Sequence, residues 1–332
     1  MIRAALVGAA HWHVPLMARG FAPAGIALSG IWDPDPGRAR SLAAAHDAPV
    51  YASLDALLEA GRHDCAFVSG PHRELPGLAR AVLARKLPMS LEKPCGRTAN
   101  EVAALEAEAR EAGVPVAVPL VQRHAELGRR LLAVARDDPP LEFAVRFVAG
   151  PPERYLRSDN AWMLDPEASG GGAAINLAVH FVDLAIELTG SPVVEVFAST
   201  SAARHRRAVE DLAVLTLGHG NGAVSNLVVG YRFPETPPWR DFRVTMAGRR
   251  TWVVTDDAGL LVRDERGQAT HVPASVDTDA YYADYVRHFA HDLRQRHAPV
   301  TGLADMARAL AVIDAAYRSD RERRSVRVVP PA

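Results

Sequence analysis

Short apolar runs alternating with helical stretches dominate the first 120 residues, and this alternation most limits the folds open to the chain. Ile2–Val7, Ile26–Trp32, Asp64–Ser69, Pro88–Leu91 and Val114–Val118 have the length and composition of buried strands. Between them, 14–20, 37–46, 53–60, 74–86 and 98–112 carry helical patterning. Ser53 precedes an apolar helical run as an N-cap, and Thr98 with Glu101 has the spacing of a capping box. Strands joined through helices predict a parallel sheet covered on both faces. The fold class is therefore α/β, with an N-terminal doubly wound, Rossmann-type sheet over residues 1–120.

From residue 121 to 332 the pattern changes. A helix near 122–136 leads to a strand around 141–148 and an irregular stretch from Gly150 to Gly172. An apolar helix, Ala173–Leu188, follows and is stopped by Gly190 and Pro192. Strand-like runs from Val193 to Val272, separated by Gly220-Asn221-Gly222 and Ala247-Gly248, predict a large, mainly antiparallel sheet. Helices near 279–296 and 303–319 and a strand at Ser325–Val329 complete an α+β domain.

With 38 basic and 39 acidic side chains, there is no electrostatic case for nucleic-acid binding. No apolar run approaches the roughly 20 residues of a membrane span. Met1–Ala10 reads as a strand and turn rather than a leader, because Gly8 and His11-Trp12-His13 interrupt it. Two cysteines, Cys65 and Cys95, suit a reducing, cytoplasmic setting and form neither a disulfide framework nor a zinc pattern. Of the 38 basic residues only two are lysines, Lys86 and Lys93. Lysine is not this chain's ordinary surface cation, which directs attention to where the two fall.

Lys93 lies in Glu92-Lys93-Pro94, at the end of the short fourth strand, where open α/β sheets bind ligands. A compact ammonium there can reach a substrate hydroxyl and change its pKa in a cleft, as a guanidinium cannot. Gly8, Ala10, His11, Trp12 and His13 form the first strand-to-helix turn, where backbone N–H groups meet a pyrophosphate. Only one of the three fingerprint glycines is present. Asp33, 25 residues after Gly8, is placed for a ribose hydroxyl, although Asp33-Pro34-Asp35-Pro36 reads equally well as a turn and helix start. A carboxylate there favours NAD over NADP, with nearby Arg38 leaving NADP open. The apolar helix carries Asn176, His180, Asp183 and Glu187 at spacings that place them on one face. His180 can exchange a proton near neutral pH, and Ser169-Gly170-Gly171-Gly172 before it permits close backbone approach. His11, His13 and His72 lack a carboxylate or cysteine at ligand spacing, so no metal site is expected.

Glu92-Lys93-Pro94, the run from Gly170 to Asp183 and Asp33-Pro34-Asp35 together resemble the Gfo/Idh/MocA oxidoreductases over essentially the whole chain. The resemblance implies a nicotinamide-dependent enzyme acting on a secondary alcohol or ketone of a sugar, inositol or related polyol. Lys93 and His180 match the family's catalytic pair. Asn176 stands where an aspartate is usual, and it is expected to position substrate. Gly8, Ala10, His11, Trp12, His13, Asp33, Arg38, Ser69, Pro71, His72, Glu92 and Lys93 are expected around the cofactor. Arg123, Tyr155 and Trp162 are expected to join Asn176 and His180 at the substrate. The eroded glycine loop and Asn176 motivate an alternative, a cofactor- or sugar-binding regulatory protein of the same fold. Apolar runs at Ala213–Leu217 and Val224–Val229 suggest a dimer or tetramer formed through the second sheet, a habit of the resembling family.

Overall fold

The computed structural model of the chain describes residues 1–235 and 240–331; the strand-rich stretch expected over 193–272 is thus interrupted at 236–239, outside the described residues. The first half alternates as expected: β1 (Ile2–Val7), α1 (Val14–Phe21), β2 (Ile26–Trp32), α2 (Pro36–His46), α3 (Leu54–Glu59), β3 (Cys65–Val68), α4 (Leu75–Leu83), β4 (Met89–Leu91), α5 (Ala99–Ala112) and β5 (Val116–Ala117). All pairings in this sheet are parallel, in the order β2-β1-β3-β4-β5. Near-continuous apolar strands are what a sheet buried on both faces requires. Strand order reverses between β1 and β3, so the crevice opens where Gly8 follows β1 and Ser69 follows β3. There the Ser69 hydroxyl donates to the Gly8 carbonyl at 2.6 Å. Gly8 has φ +84°, and a Cβ would stand 1.9 Å from the Ser69 carbonyl oxygen. Thus the one fingerprint glycine retained is the one whose loss the backbone could not absorb. Thr98 caps α5 as expected, but the Glu101 carboxylate bonds the Arg97 amide rather than closing the box on Thr98.

The second half contains α6 (Glu126–Asp137), β6 (Glu142–Val148), α7 (Glu153–Arg157), α8 (Pro166–Ser169), α9 (Val179–Thr189), β7 (Val193–Ser201), β8 (Leu212–His219), β9 (Val224–Gly230), β10 (Asp241–Ala247), β11 (Thr251–Asp256), β12 (Gly259–Asp264), β13 (Ala269–Pro273), α10 (Tyr281–Gln295), α11 (Leu303–Glu322) and β14 (Val326–Arg327). The nine strands among its described residues form one mixed sheet, β13-β12-β11-β10-β6-β9-β8-β7-β14, antiparallel except between β6 and β9. The stretch 150–172, read as irregular, contains α7, α8 and a 3-10 turn at Ala161–Leu164. Helix α11 packs on α5, α9 and β7, while α10 packs on α1. The Tyr285 hydroxyl of α10 meets the Ser90 hydroxyl of β4 at 2.7 Å, so the two halves share a core.

The segment leading to α9 departs from a regular helix: Ala174–Ala178 is a π turn that runs directly into α9. Pro166–Thr189 is long and apolar enough to cross a membrane, which the sequence reading did not anticipate, yet it is buried inside the protein. The glycine run before it is held by Glu210, whose carboxylate accepts from the Gly172 and Ala174 amides at 2.9 Å and from the Tyr317 hydroxyl at 2.8 Å. Gly171 has φ +151°, and an added Cβ would lie 2.0 Å from the Tyr317 oxygen. Gly171→Ala therefore combines backbone strain with a steric clash in the support of the helix. It is expected to cost about 2–4 kcal/mol in chemical denaturation. A loss below about 0.5 kcal/mol would contradict this account of the glycine run.

Candidate active site

The chain's scarce lysine is enclosed. Lys93 is 2% exposed, just beyond β4, and donates to the Asn176 carbonyl oxygen at 2.8 Å and to Asn176 Oδ1 at 2.5 Å. An ammonium has three N–H donors, so one remains for a ligand. Burial lowers its pKa to about 8, opposed by the neighbouring Glu92 carboxylate and reinforced by Arg154. The Asn176 amide in turn donates to the Tyr155 hydroxyl at 2.8 Å and the Tyr231 hydroxyl at 2.7 Å. Its two N–H bonds are thus spent on tyrosines and its oxygen on lysine. Asn176 was expected to position substrate; the geometry makes it the strut that positions Lys93.

His180 lines the same cavity as Lys93 and Asn176. Its Nδ1 is sealed from solvent without a partner, leaving Nε2 as the nitrogen open to the cavity. Desolvation, then the charges of Lys93 and His13, push its pKa well below the ordinary value, so the imidazole is neutral at pH 7. The cavity has about 490 Å³ of space when its open mouth is included, with Trp12, His13, Arg154, Arg240 and Tyr282 among its walls. His13 meets Glu92 at 3.0 Å and the Tyr282 hydroxyl at 2.9 Å. Trp12 and His13, expected at the cofactor, therefore face this cavity because the turn before α1 points its side chains toward the second half.

A second cleft of about 930 Å³, open to solvent, adjoins it at the crevice. Gly8, Ala10, His11, Asp33, Arg38, Ser69, Pro71 and Trp162 line it. Asp33 Oδ2 accepts from the Ala9 and Ala10 amides at 2.7 and 3.0 Å, and Oδ1 accepts from the Asp35 amide at 2.8 Å. The turn and helix start are realised here: Asp33 orders the loop, while Asp35 caps α2 through the Gly37 amide. Asn160 reaches across from the second half and donates to the Ala10 carbonyl at 3.0 Å. Trp162 stacks near His11 and His72, with ring centroids 5.7 and 4.9 Å away. Trp162 thus walls the dinucleotide cleft, not the substrate cavity where it was expected. His72 is buried, with Nδ1 bonded to the Ser169 carbonyl at 2.6 Å and Nε2 unpartnered.

Arg123, also expected at the substrate, forks instead between Asp183 at 3.1 Å, Asp305 at 3.3 Å and Glu187 at 3.5 Å. The polar stripe along α9 therefore divides. From Asn176 to Glu187 it runs about 16 Å, long enough to meet a cavity at one end and an ion-pair cluster at the other. Burial raises Asp183 to about 7, against the pull of Arg123. Glu92 also supplies the carboxylate missing from the histidine spacing, since the ligand atoms of His11, His13 and Glu92 lie within 4.8 Å of one another. These three are tied to each other: His13 bonds Glu92, and the His13 amide donates to His11 Nδ1 at 3.2 Å. Arg154, Asn160, Glu210, Tyr231 and Tyr282 were not singled out from the sequence, because nothing in their local spacing marks them. Long-range folding brings them to the site.

Residues 2–120 match the model of the oxidoreductase family with an NAD-binding Rossmann fold, and residues 139–260 match the GFO/IDH/MocA C-terminal domain. The chain belongs to the Gfo/Idh/MocA family. Similar proteins include D-apiose dehydrogenase of Paraburkholderia graminis, 27% identical, covering 91% of this chain and 83% of that protein. UDP-N-acetylglucosamine 3-dehydrogenase of Acidithiobacillus ferrooxidans is 26% identical, covering 86% and 81%. In fold, the chain matches an oxidoreductase from Agrobacterium radiobacter solved with NAD+, L-tartaric acid and magnesium, at TM-score 0.87 and 21% identity, with 98% of each chain covered. Its first half is an NAD-binding Rossmann domain, and the crevice fits a nicotinamide dinucleotide. The cleft lies at the switch point of the sheet, Gly8 keeps the turn tight, and the Asp33 carboxylate at the end of β2 lines the cleft while holding the loop amides.

Removing Arg123 strips the positive charge from a buried carboxylate cluster. Arg123→Met is expected to cost about 3 kcal/mol in stability. It should leave the NADH dissociation constant within about twofold, because Arg123 lines neither cleft. A tenfold loss of NADH affinity with unchanged stability would refute the structural assignment.

Proposed function

We propose that the enzyme interconverts a secondary alcohol and a ketone on a sugar, inositol or related polyol, with Lys93 and His180 as catalytic residues. The observation that carries this reading is a protonatable lysine and a neutral histidine lining one cavity beside the dinucleotide crevice. The dehydrogenase names of its sugar-acting relatives support the substrate class. When bound, the nicotinamide supplies the hydride acceptor. His180 Nε2 takes the hydroxyl proton as the carbinol carbon gives up its hydride, leaving a ketone. Lys93 uses its third N–H to stabilise negative charge developing on the oxygen. Asn176 and its two tyrosines fix the direction of that ammonium. Residues 1–120 serve the dinucleotide and 121–332 the substrate and self-association, in a cytoplasmic setting.

NAD is favoured over NADP because Asp33 and Asp35 line the cleft while Arg38 is committed to Asp35 at 3.4 Å and Asp159 at 3.9 Å. A 2′-phosphate would meet carboxylates, and Arg38, the one cation lining the cleft among the described residues, already has two of them as partners. The outer face of the second sheet exposes Phe197, Val214 and Trp252, which supports a homodimer or homotetramer through that face. Solution scattering showing a monomer at working concentration would remove this part of the reading.

Lys93→Ala and His180→Ala should each lower turnover by at least about 10²-fold while NADH still binds in a fluorescence titration. Near-normal turnover in either variant would exclude that residue from the chemistry. The ammonium form of Lys93 is the active one, and its pKa is lowered to about 8. Its protonated fraction is full below that pH and lost above it. With saturating NAD, kcat/KM for alcohol oxidation should fall as pH rises through about 8. A rate that climbs steadily through pH 10 would contradict this protonation state.

A further inference from the structure

Arg154 is the charged group that this account of hydride transfer leaves without a task. It is 8% exposed and lines the cavity that holds Lys93 and His180. Its guanidinium lies over Trp12, Tyr155 and Tyr231, 5.0, 4.8 and 5.5 Å from their ring centroids. One nitrogen donates to the Tyr155 hydroxyl at 2.8 Å, and Nε is enclosed without any partner. Among the described residues no carboxylate comes within ion-pair distance of Arg154. The cavity's other cations have acidic neighbours: Lys93 is adjacent to Glu92, and Arg240 is paired with Asp279 at 2.8 Å.

A buried charge without a counter-ion is costly, and aromatic faces offset only part of that cost. Of five guanidinium N–H donors, the protein uses one. With Nε enclosed, the three N–H donors left on the two terminal nitrogens form the edge that can meet a planar carboxylate through two parallel bonds. Position ties the guanidinium to the catalytic ammonium. Arg154 and Asn176 both donate to the Tyr155 hydroxyl, and Lys93 donates to Asn176, so the guanidinium stands three hydrogen bonds from the catalytic ammonium. Both cations line the one cavity, so a ligand there can meet them together.

We propose that the cavity takes a sugar acid, an aldonate or uronate, whose carboxylate is received by Arg154 while its carbinol faces Lys93 and His180. This rests on the assignment of the cavity as the hydride-transfer site and narrows its substrate class. A single uncompensated cation matches a monoanion. The aromatic platform prevents the guanidinium from swinging out to solvent and pre-orients it for a planar partner.

Calorimetric titration of the NAD-loaded enzyme tests the assignment. The probes are D-galacturonate and D-gluconate, the neutral D-galactose and myo-inositol, and D-galactose 6-phosphate. Carboxylates should bind about 10- to 100-fold more tightly than their neutral counterparts. Arg154→Gln should abolish that preference, and Arg154→Lys should restore part of it, with thermal melts verifying that both variants fold. Equal affinity for acid and neutral sugars, or a preference that survives Arg154→Gln, would overturn the proposal. Tighter binding of the phosphate than of either carboxylate would overturn it as well. Lys93→Ala should keep the carboxylate preference while losing turnover, which separates the two claims. A chain that oxidises neutral polyols without favouring acids loses the Arg154 subsite and keeps the hydride-transfer assignment. One that binds the acids but no NADH loses that assignment.

Discussion

The contact between the Lys93 ammonium and Asn176 is the constraint on which the rest of the site depends. It joins the end of β4 to the π turn before α9, and so ties the parallel sheet to the second half at the cavity. A carboxamide is suited to this position. Its oxygen accepts from the ammonium while its two N–H bonds donate to the hydroxyls of Tyr155 and Tyr231. An aspartate, usual in the resembling family at this position, would place a negative charge beside Lys93 and favour its protonated form. With a neutral partner instead, desolvation dominates and the lysine pKa falls to about 8. The departure from the family pattern is thus matched by its surroundings, and it changes the electrostatics of the lysine while preserving its place.

The surrounding structure maintains that contact through backbone and buried polar groups. Gly8 lets the first loop close on Ser69, Asp33 orders the loop amides, and Asn160 brings the second half onto the loop. Glu210 holds the glycine run at the other side of the cavity. Arg123 gathers Asp183, Glu187 and Asp305 farther along α9. Each of these interactions fixes an element that carries a site residue, so geometry at the cavity is set by groups that need not touch substrate.

Much of this was legible in the chain. Strand-helix alternation located all five strands of the first sheet, because parallel strands buried on both faces are apolar throughout. Rarity of lysine, together with its place at a strand end, pointed to Lys93. The glycine run and the polar stripe pointed to Asn176 and His180. What local pattern could not show was how the stripe would divide, since the partners of Asp183 and Asn176 lie far away in sequence. Trp162 was assigned to substrate from its place in the chain and Arg123 from its place and the family resemblance, and long-range ion pairs and ring contacts set them elsewhere. Arg154 escaped notice for the same reason: its aromatic platform joins the adjacent Tyr155 to Trp12 and Tyr231, which lie far away in the chain.

The central claim is that the dinucleotide crevice delivers the nicotinamide to the cavity shared by Lys93 and His180. A crystal structure of the complex with NAD tests it most directly. The account places the pyrophosphate along the Gly8 loop and the ribose hydroxyls at Asp33. It places nicotinamide C4 at the cavity mouth, facing a carbon held between Lys93 Nζ and His180 Nε2. A dinucleotide bound with its nicotinamide turned away from Lys93 and His180 would contradict it.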